Sequence, residues 1–343
     1  MARSSDKKFN WDVCGHEKVA SFLQAAISND KISHAYLFVG PARVGKQTLA
    51  RQFIESFFCL SADRAVPCGD CSNCRPLRQE THPDFYLVNR FFDDKTGKWK
   101  KDIIIDQIRE LKLKLQQTTL LSGYKAALIP EAQLINEKAY NSLLKLLEEP
   151  TAKTVIILLT DDLGRIPRTI VSRCQQINFL PVAGSKIEKY LLRAGAEPAK
   201  AKKMARLAHG LPGRAISFFQ DEQLLKNWQA NQQSFLKIFS DQPIDLDCVA
   251  EIIDWEKDEV LNIEKINRLL DDWQVILRDL LLFLQGSQYH AASIEIMPAW
   301  EKMKSRFSFS RIRRAVAQLD RSRELLRQNI NTKVILENLI INL

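Results

Sequence analysis

The chain has 343 residues, 50 Lys+Arg against 41 Asp+Glu, and a formal net charge of +9. With 45% hydrophobic and 27% charged residues it has an ordinary globular composition and room for two or three domains of about 100–200 residues each. No apolar run approaches the roughly 20 residues of a membrane helix. The polar start Met-Ala-Arg-Ser-Ser-Asp-Lys-Lys carries no secretory core, and seven unevenly spaced cysteines do not read as a disulfide scaffold, so a cytoplasmic, multidomain, mildly basic protein is expected.

In chain order, Val19–Ser28 reads as a helix and Ala35–Val39 (AYLFV) as a buried strand, followed by a helix over Gln47–Phe58. Further short apolar runs at Phe85–Val88, Ala126–Ile129 and Thr154–Thr160 read as strands, with a weaker one at Gln176–Phe179. Between them lie a helix at Asp106–Gln117, with Ile108, Leu111 and Leu115 at helical spacing, and a helix at Glu137–Glu149. Strands alternating with helices predict an α/β fold with a mostly parallel sheet. After Pro181 the strand signals stop, and short helices are expected at Ser185–Ala194, Ala199–His209 and Arg214–Gln220. Beyond about residue 223 the pattern is helical throughout, with Ile312, Val316, Leu319, Leu326 and Ile330 recurring as one stripe of a helical bundle.

Gly40-Pro-Ala-Arg-Val-Gly45-Lys46-Gln47-Thr48 follows a strand and opens a helix, the context of a P-loop. Backbone N–H groups at the helix start would cradle phosphates, and Lys46 would reach the β- and γ-phosphates. The residue after the lysine should carry a hydroxyl for Mg²⁺, but it is Gln47. Thr48 comes one place late, about 100° around the helix. The strand Ala126–Ile129 should end in Asp-Glu, the Asp on Mg²⁺ and the Glu on water. Here Pro130 takes the Asp place and Glu131 the Glu place. A relic P-loop is therefore expected, without Mg²⁺. Nucleotide binding itself stays open, because Gly40, Gly45 and Lys46 do not depend on the metal.

Cys59, Cys68, Cys71 and Cys74 form C-x8-C-x2-C-x2-C within a turn-rich stretch. Four thiolates suit a closed structural Zn²⁺ site, a staple and not a reaction centre. His82 lies near, but four cysteines already fill the shell. Cys14, Cys174 and Cys248 stand alone and read as buried small apolar residues.

The ordered set His34-Ala-Tyr-Leu-Phe-Val-Gly-Pro41, the four-Cys insert, His82-Pro-Asp84, Asn141–Pro150, Ser172-Arg-Cys174, Gly213-Arg-Ala215 and Asn331–Glu337 resembles bacterial clamp-loader AAA+ subunits over nearly the whole chain. The resemblance implies an AAA+ core at about 1–180, a helical lid at about 181–222 and a C-terminal helical collar at about 223–343. It implies a five-subunit, open-ring ATPase that opens a sliding clamp and places it on primed DNA. Gln47 and Pro130 favour the family's stationary subunit over its motor (gamma/tau-like) subunit. Arg173 would then be an arginine finger supplied in trans to a neighbour's ATP, and Arg214 would hold the sensor-2 place. Expected partners are the motor and delta-like subunits, the clamp indirectly, and primer-template DNA through the complex. A catalytically active motor subunit and a zinc-containing nucleic-acid-binding module are the alternatives.

Three features are less sharp. Thr160-Asp161-Asp162 occupies a sensor-1 place or is a plain strand end. Glu148-Glu149-Pro150 closes a helix with acids that oppose the helix dipole. Lys302–Arg327 holds nine Lys/Arg and few aromatics, which suits protein contacts before single-strand stacking. The net charge splits as +6 over residues 1–180, +5 over 181–228, −8 over 229–300 and +6 over 301–343, which fits several partner surfaces better than one nucleic-acid footprint.

Overall fold

The computed structural model describes residues 8–61, 65–94, 96–120, 123–239, 253, 255–287, 297–302, 304, 307–328 and 330–343. Two compact units emerge. One comprises Met1–Phe92, Lys100–Gly195 and Gly210–Arg214; the other comprises Asp93–Trp99, Ala196–His209 and Ala215–Leu343.

The chain opens with α1 (Glu17–Ser28), β1 (Ala35–Val39), α2 (Lys46–Phe58), α3 (Cys74–Arg78) and β2 (Phe85–Leu87). A small ribbon, β3 (Phe92–Asp93) and β4 (Lys98–Trp99), precedes α4 (Ile105–Gln116). Then come β5 (Lys125–Ile129), α5 (Glu137–Glu148), β6 (Thr154–Thr160), α6 (Arg168–Val171), β7 (Gln175–Asn178) and α7 (Gly184–Arg193). The main sheet has the order β2-β5-β6-β1-β7, and every pairing is parallel. A parallel sheet covered on both faces requires strands that are apolar throughout. β6, TVIILLT, is buried at all seven positions. One face packs Leu111, Leu115, Leu143 and Leu147 from α4 and α5. The other packs Leu23, Leu49, Phe53 and Phe58 from α1 and α2.

The sheet order fixes where a ligand site can lie. β1 pairs with both β6 and β7, with Val39 opposite Thr160 and Asn178. The connection from β6 to β7 therefore straddles β1, and the loop after β1 opens at the carboxyl ends of the strands, the usual crevice of such sheets.

The second unit contains α8 (Pro198–Leu207), most of α9 (Pro212–Gln220), and α10 (Glu222–Phe239), α11 (Glu259–Leu284), α12 (Met297–Lys302), α13 (Phe309–Arg327) and α14 (Thr332–Asn342). α11 is the spine. Its Leu270, Trp273, Ile276, Leu277 and Leu280 pack with Phe235, Ile312, Leu319, Leu336 and Leu339. Asp258 caps α11 by accepting from Val260 N–H. Arg323 ties α13 to α11 through Asp271 at 2.9 Å and Gln274 at 2.7 Å, so part of the basic stretch holds the bundle itself.

Most expected elements match within two residues. The β3–β4 ribbon was not legible, because two-residue strands carry no measurable period. It turns on Asp93, whose carbonyl accepts from Thr96 and Gly97 N–H. Ile330 was expected on the bundle's apolar stripe but lies beyond the end of α13 and is exposed. Asn331 restarts the helix there, its side chain accepting from Lys333 and Val334 N–H. Cys248 and Arg306 lie outside the described residues. Among the described residues no helix is long and apolar enough to cross a membrane.

Candidate functional site

The loop from Gly40 to Lys46 turns the chain from β1 into α2. Arg43 and Gly45 take positive φ, +60° and +112°. Gly40 N–H donates to Thr160 O at 3.1 Å, and a Cβ on Gly40 would lie 2.4 Å from Phe179 O, so this position excludes any side chain. The loop is braced from two sides. His16 starts α1 with its ring Nε2 3.0 Å from Val44 O and its face 4.9 Å from the Phe179 ring. Gly213 N–H donates to Arg43 O at 2.9 Å, and a Cβ there would sit 2.9 Å from the same oxygen. Arg214, next in the chain, is buried.

The polar groups a Mg²⁺–nucleotide would use are turned to protein partners. Lys46 Nζ donates to Gly40 O at 2.5 Å and Pro41 O at 2.8 Å. Burial pulls its ammonium down to about 8, opposed by the nearby Asp161 carboxylate. Gln47 and Thr48 are exposed and line an open groove of ≈ 520 Å³ with Asn10, Arg51 and Gln52. Pro130 follows β5 without a ligand atom, and Glu131 pairs with Arg90, Nε to Oε2 3.2 Å. The Thr160 hydroxyl is buried; it donates to Asp162 O at 3.0 Å and accepts from Asp162 N–H at 3.1 Å. Asp162 in turn caps the turn at Leu163 by accepting from Gly164 N–H.

The four cysteines converge. The sulfurs of Cys59, Cys68, Cys71 and Cys74 all lie within 4.8 Å of one another, and those of Cys68 and Cys74 are 4.0 Å apart. A tetrahedral ion with Zn–S bonds of about 2.3 Å needs sulfurs about 3.8 Å apart, so this donor set fits. Backbone N–H groups point at the sulfurs, Cys68 N to Cys59 Sγ at 3.5 Å and Cys74 N to Cys71 Sγ at 3.4 Å. Burial raises the Cys71 thiol, but N–H donors from Leu60, Cys74 and Asn73 outweigh it and bring it down to about 6. Burial pushes Cys74 upward. A cation would supply the charge balance that such a packed thiolate group needs. His82 takes no part: Nδ1 accepts from Asp84 N–H at 3.1 Å, and the ring stands edge-on to Phe58. Asp84 is buried and accepts from Leu120 N–H with both oxygens, at 3.0 and 3.1 Å, so His82-Pro83-Asp84 is a structural tie between β2 and the end of α4.

Arg173 lies after α6 on the surface. Its Nη2 is 2.8 Å from Glu148 Oε1, the last residue of α5, and its Nη1 donates to Thr169 O at 3.0 Å. The sequence pointed to both side chains but not to their contact. The brackets by His16, Arg90 and Gly213 were missed altogether.

Comparison with known proteins bears on this arrangement. The family described as "DNA polymerase III, delta subunit" matches residues 15–183. The delta' subunit of DNA polymerase III from Bacillus subtilis is 36% identical over 194 residues, 57% of this chain and 56% of the relative. That from Pseudomonas aeruginosa is 37% identical over 182 residues, 52% of this chain and 54% of the relative. The chain thus spans about half the length of these curated relatives. The DNA polymerase III subunit gamma of Buchnera aphidicola is 26% identical over 88% of this chain and 83% of its own length. A gamma subunit-related protein from Thermotoga maritima covers 93% of this chain and 97% of its own at a TM-score of 0.47 and 16% identity. Residues 15–183, which carry the parallel sheet and the four-cysteine insert, thus match the DNA polymerase III delta family, and the chain is similar to delta' and gamma subunits of DNA polymerase III.

Proposed function

We propose that this protein is a stationary, delta'-like clamp-loader subunit that lends Arg173 to the ATP site of a neighbouring motor subunit while hydrolysing no ATP itself. The observation that carries the first half is the phosphate site. Lys46 is bonded to its own loop, the next residue Gln47 carries no hydroxyl, Pro130 stands in place of a metal carboxylate, and Glu131 is held by Arg90. The second half rests on Arg173, which presents a guanidinium at the surface of the same unit, in the Ser172-Arg173-Cys174 motif. A guanidinium reaching a neighbour's γ-phosphate neutralises charge that builds up as the phosphoryl group transfers. The core at about 1–180 would carry these groups, the lid at about 181–222 would include Gly213 and Arg214, and the collar at about 223–343 would assemble with gamma/tau-like and delta-like subunits. The assembly would place a sliding clamp on primed DNA.

Zn²⁺ would be held by Cys59, Cys68, Cys71 and Cys74. It would supply a covalent staple for the Leu60–Asn73 loop and no chemistry, since four thiolates leave no open position. The test is direct. The isolated chain with ATP and Mg²⁺ is expected to show no turnover above background, and adding it to the motor subunits is expected to raise theirs. Robust hydrolysis by the isolated chain would overturn this function in favour of a motor subunit.

A further inference from the structure

We infer that Glu148 is a positioning residue for Arg173, which rests on the reading of Arg173 as a finger offered in trans. A carboxylate on the last residue of α5 faces the negative end of the helix dipole, where it weakens the helix. Local stability gives no reason for it. The guanidinium gives one. Glu148 Oε1 lies 2.8 Å from Arg173 Nη2. Arg173 Nη1 donates on its other side to Thr169 O at 3.0 Å and to the Ser172 hydroxyl at 3.4 Å.

Two rigid elements therefore grip one end of the side chain, α5 through its terminal carboxylate and α6 through a backbone carbonyl. A guanidinium has five N–H donors. Nη1 donates to the Thr169 carbonyl and the Ser172 hydroxyl while Nη2 faces the Glu148 carboxylate, which fixes the orientation of the planar fork that would meet a phosphate. The Arg173 side chain keeps 37% of its surface exposed, so the guanidinium is reachable from outside. A long arginine without such a grip samples many rotamers and reaches a phosphate in only a fraction of them. Glu148 confines it before the neighbour arrives.

The opposite role, a latch that competes with phosphate for the guanidinium, predicts the opposite sign. The experiment uses the full chain reconstituted with its motor subunits and compares Glu148→Ala, Glu148→Gln, Arg173→Ala and the double variant Glu148→Ala/Arg173→Ala. Glu148→Ala is expected to lower kcat about three- to fivefold at unchanged KM for ATP, the size an exposed ion pair supports. Glu148→Gln keeps an acceptor and is expected to recover part of that loss. In the Arg173→Ala background, Glu148→Ala is expected to add nothing, because the two act as a unit. Unchanged or faster turnover in Glu148→Ala, or an equal loss in the Arg173→Ala background, overturns the positioning role while leaving the finger intact. Full turnover in Arg173→Ala alone removes the finger reading, and this inference with it.

Discussion

Replacing Arg173 by Ala separates a structural arginine from a functional one, because the two roles differ widely in magnitude. Among the described residues Arg173 makes one ion pair, with Glu148, between side chains that are 37% and 48% exposed. Such pairs contribute at most about 1 kcal/mol. For a domain of about 150–250 residues that is a shift of roughly 2–4 °C in Tm. A guanidinium supplied in trans to a γ-phosphate is worth about 10³–10⁵ in rate, or about 4–7 kcal/mol of barrier. Arg173→Ala should therefore melt within a few degrees of the parent chain and assemble normally. The ATP site it faces in the neighbour should nevertheless fall nearly silent. Arg173→Lys keeps the charge but not the planar fork, and should not rescue. The assays are a thermal melt of the chain alone and steady-state ATPase of the reconstituted complex. Turnover within twofold of the parent would refute the reasoning, and so would a loss that tracks a comparable loss of assembly.

The remaining predictions concern the phosphate loop and the cysteines. Lys46 has its folded pKa pulled down to about 8 by burial, below its usual 10.5, so the fold carries a cost for the charged form. That cost is present in full below about pH 8 and is relieved as pH rises toward 10.5, because the unfolded chain there binds more protons. Denaturant unfolding of the parent and of Lys46→Met should show Met more stable at pH 7, with the gap narrowing between pH 8 and 10; a gap independent of pH would contradict the burial argument. Metal analysis should find about one zinc per chain, since four thiolates complete one shell. Chelation, or Cys68→Ser, should make the Leu60–Asn73 loop protease-sensitive, and more readily at pH 5 than at pH 8, because protons compete for thiolates. A chain free of metal with an equally resistant loop would rule out the staple.

Much of the first unit was legible because its strands are buried on both faces. β1 and β6 are continuous apolar runs, and their observed limits coincide with the runs. The phosphate turn was legible because glycine spacing before a helix is a local constraint, and the cysteine cluster because its four members fall within 16 residues of one another. Contacts between residues far apart in sequence were not. Glu131 and Arg90 are 41 positions apart, and neither has a local pattern that names the other. The same holds for Glu148 with Arg173, and for Gly213 on Arg43.

By itself the sequence determined the alternation of strands and helices, a residue without a hydroxyl at Gln47 and one without a carboxylate at Pro130, and the four thiols. These follow from residue type and short spacing, which act through sterics and coordination chemistry within a few residues. Only the tertiary structure decided where the remaining polar groups point. Sheet order brings β6 beside β1 and so buries the Thr160 hydroxyl beside the Gly40–Lys46 loop; the fold of that loop turns Lys46 onto the carbonyls of Gly40 and Pro41; and the packing of α5 against α6 brings Glu148 to Arg173. A side chain's partner is set by which elements share a surface, and that depends on the path of the whole chain.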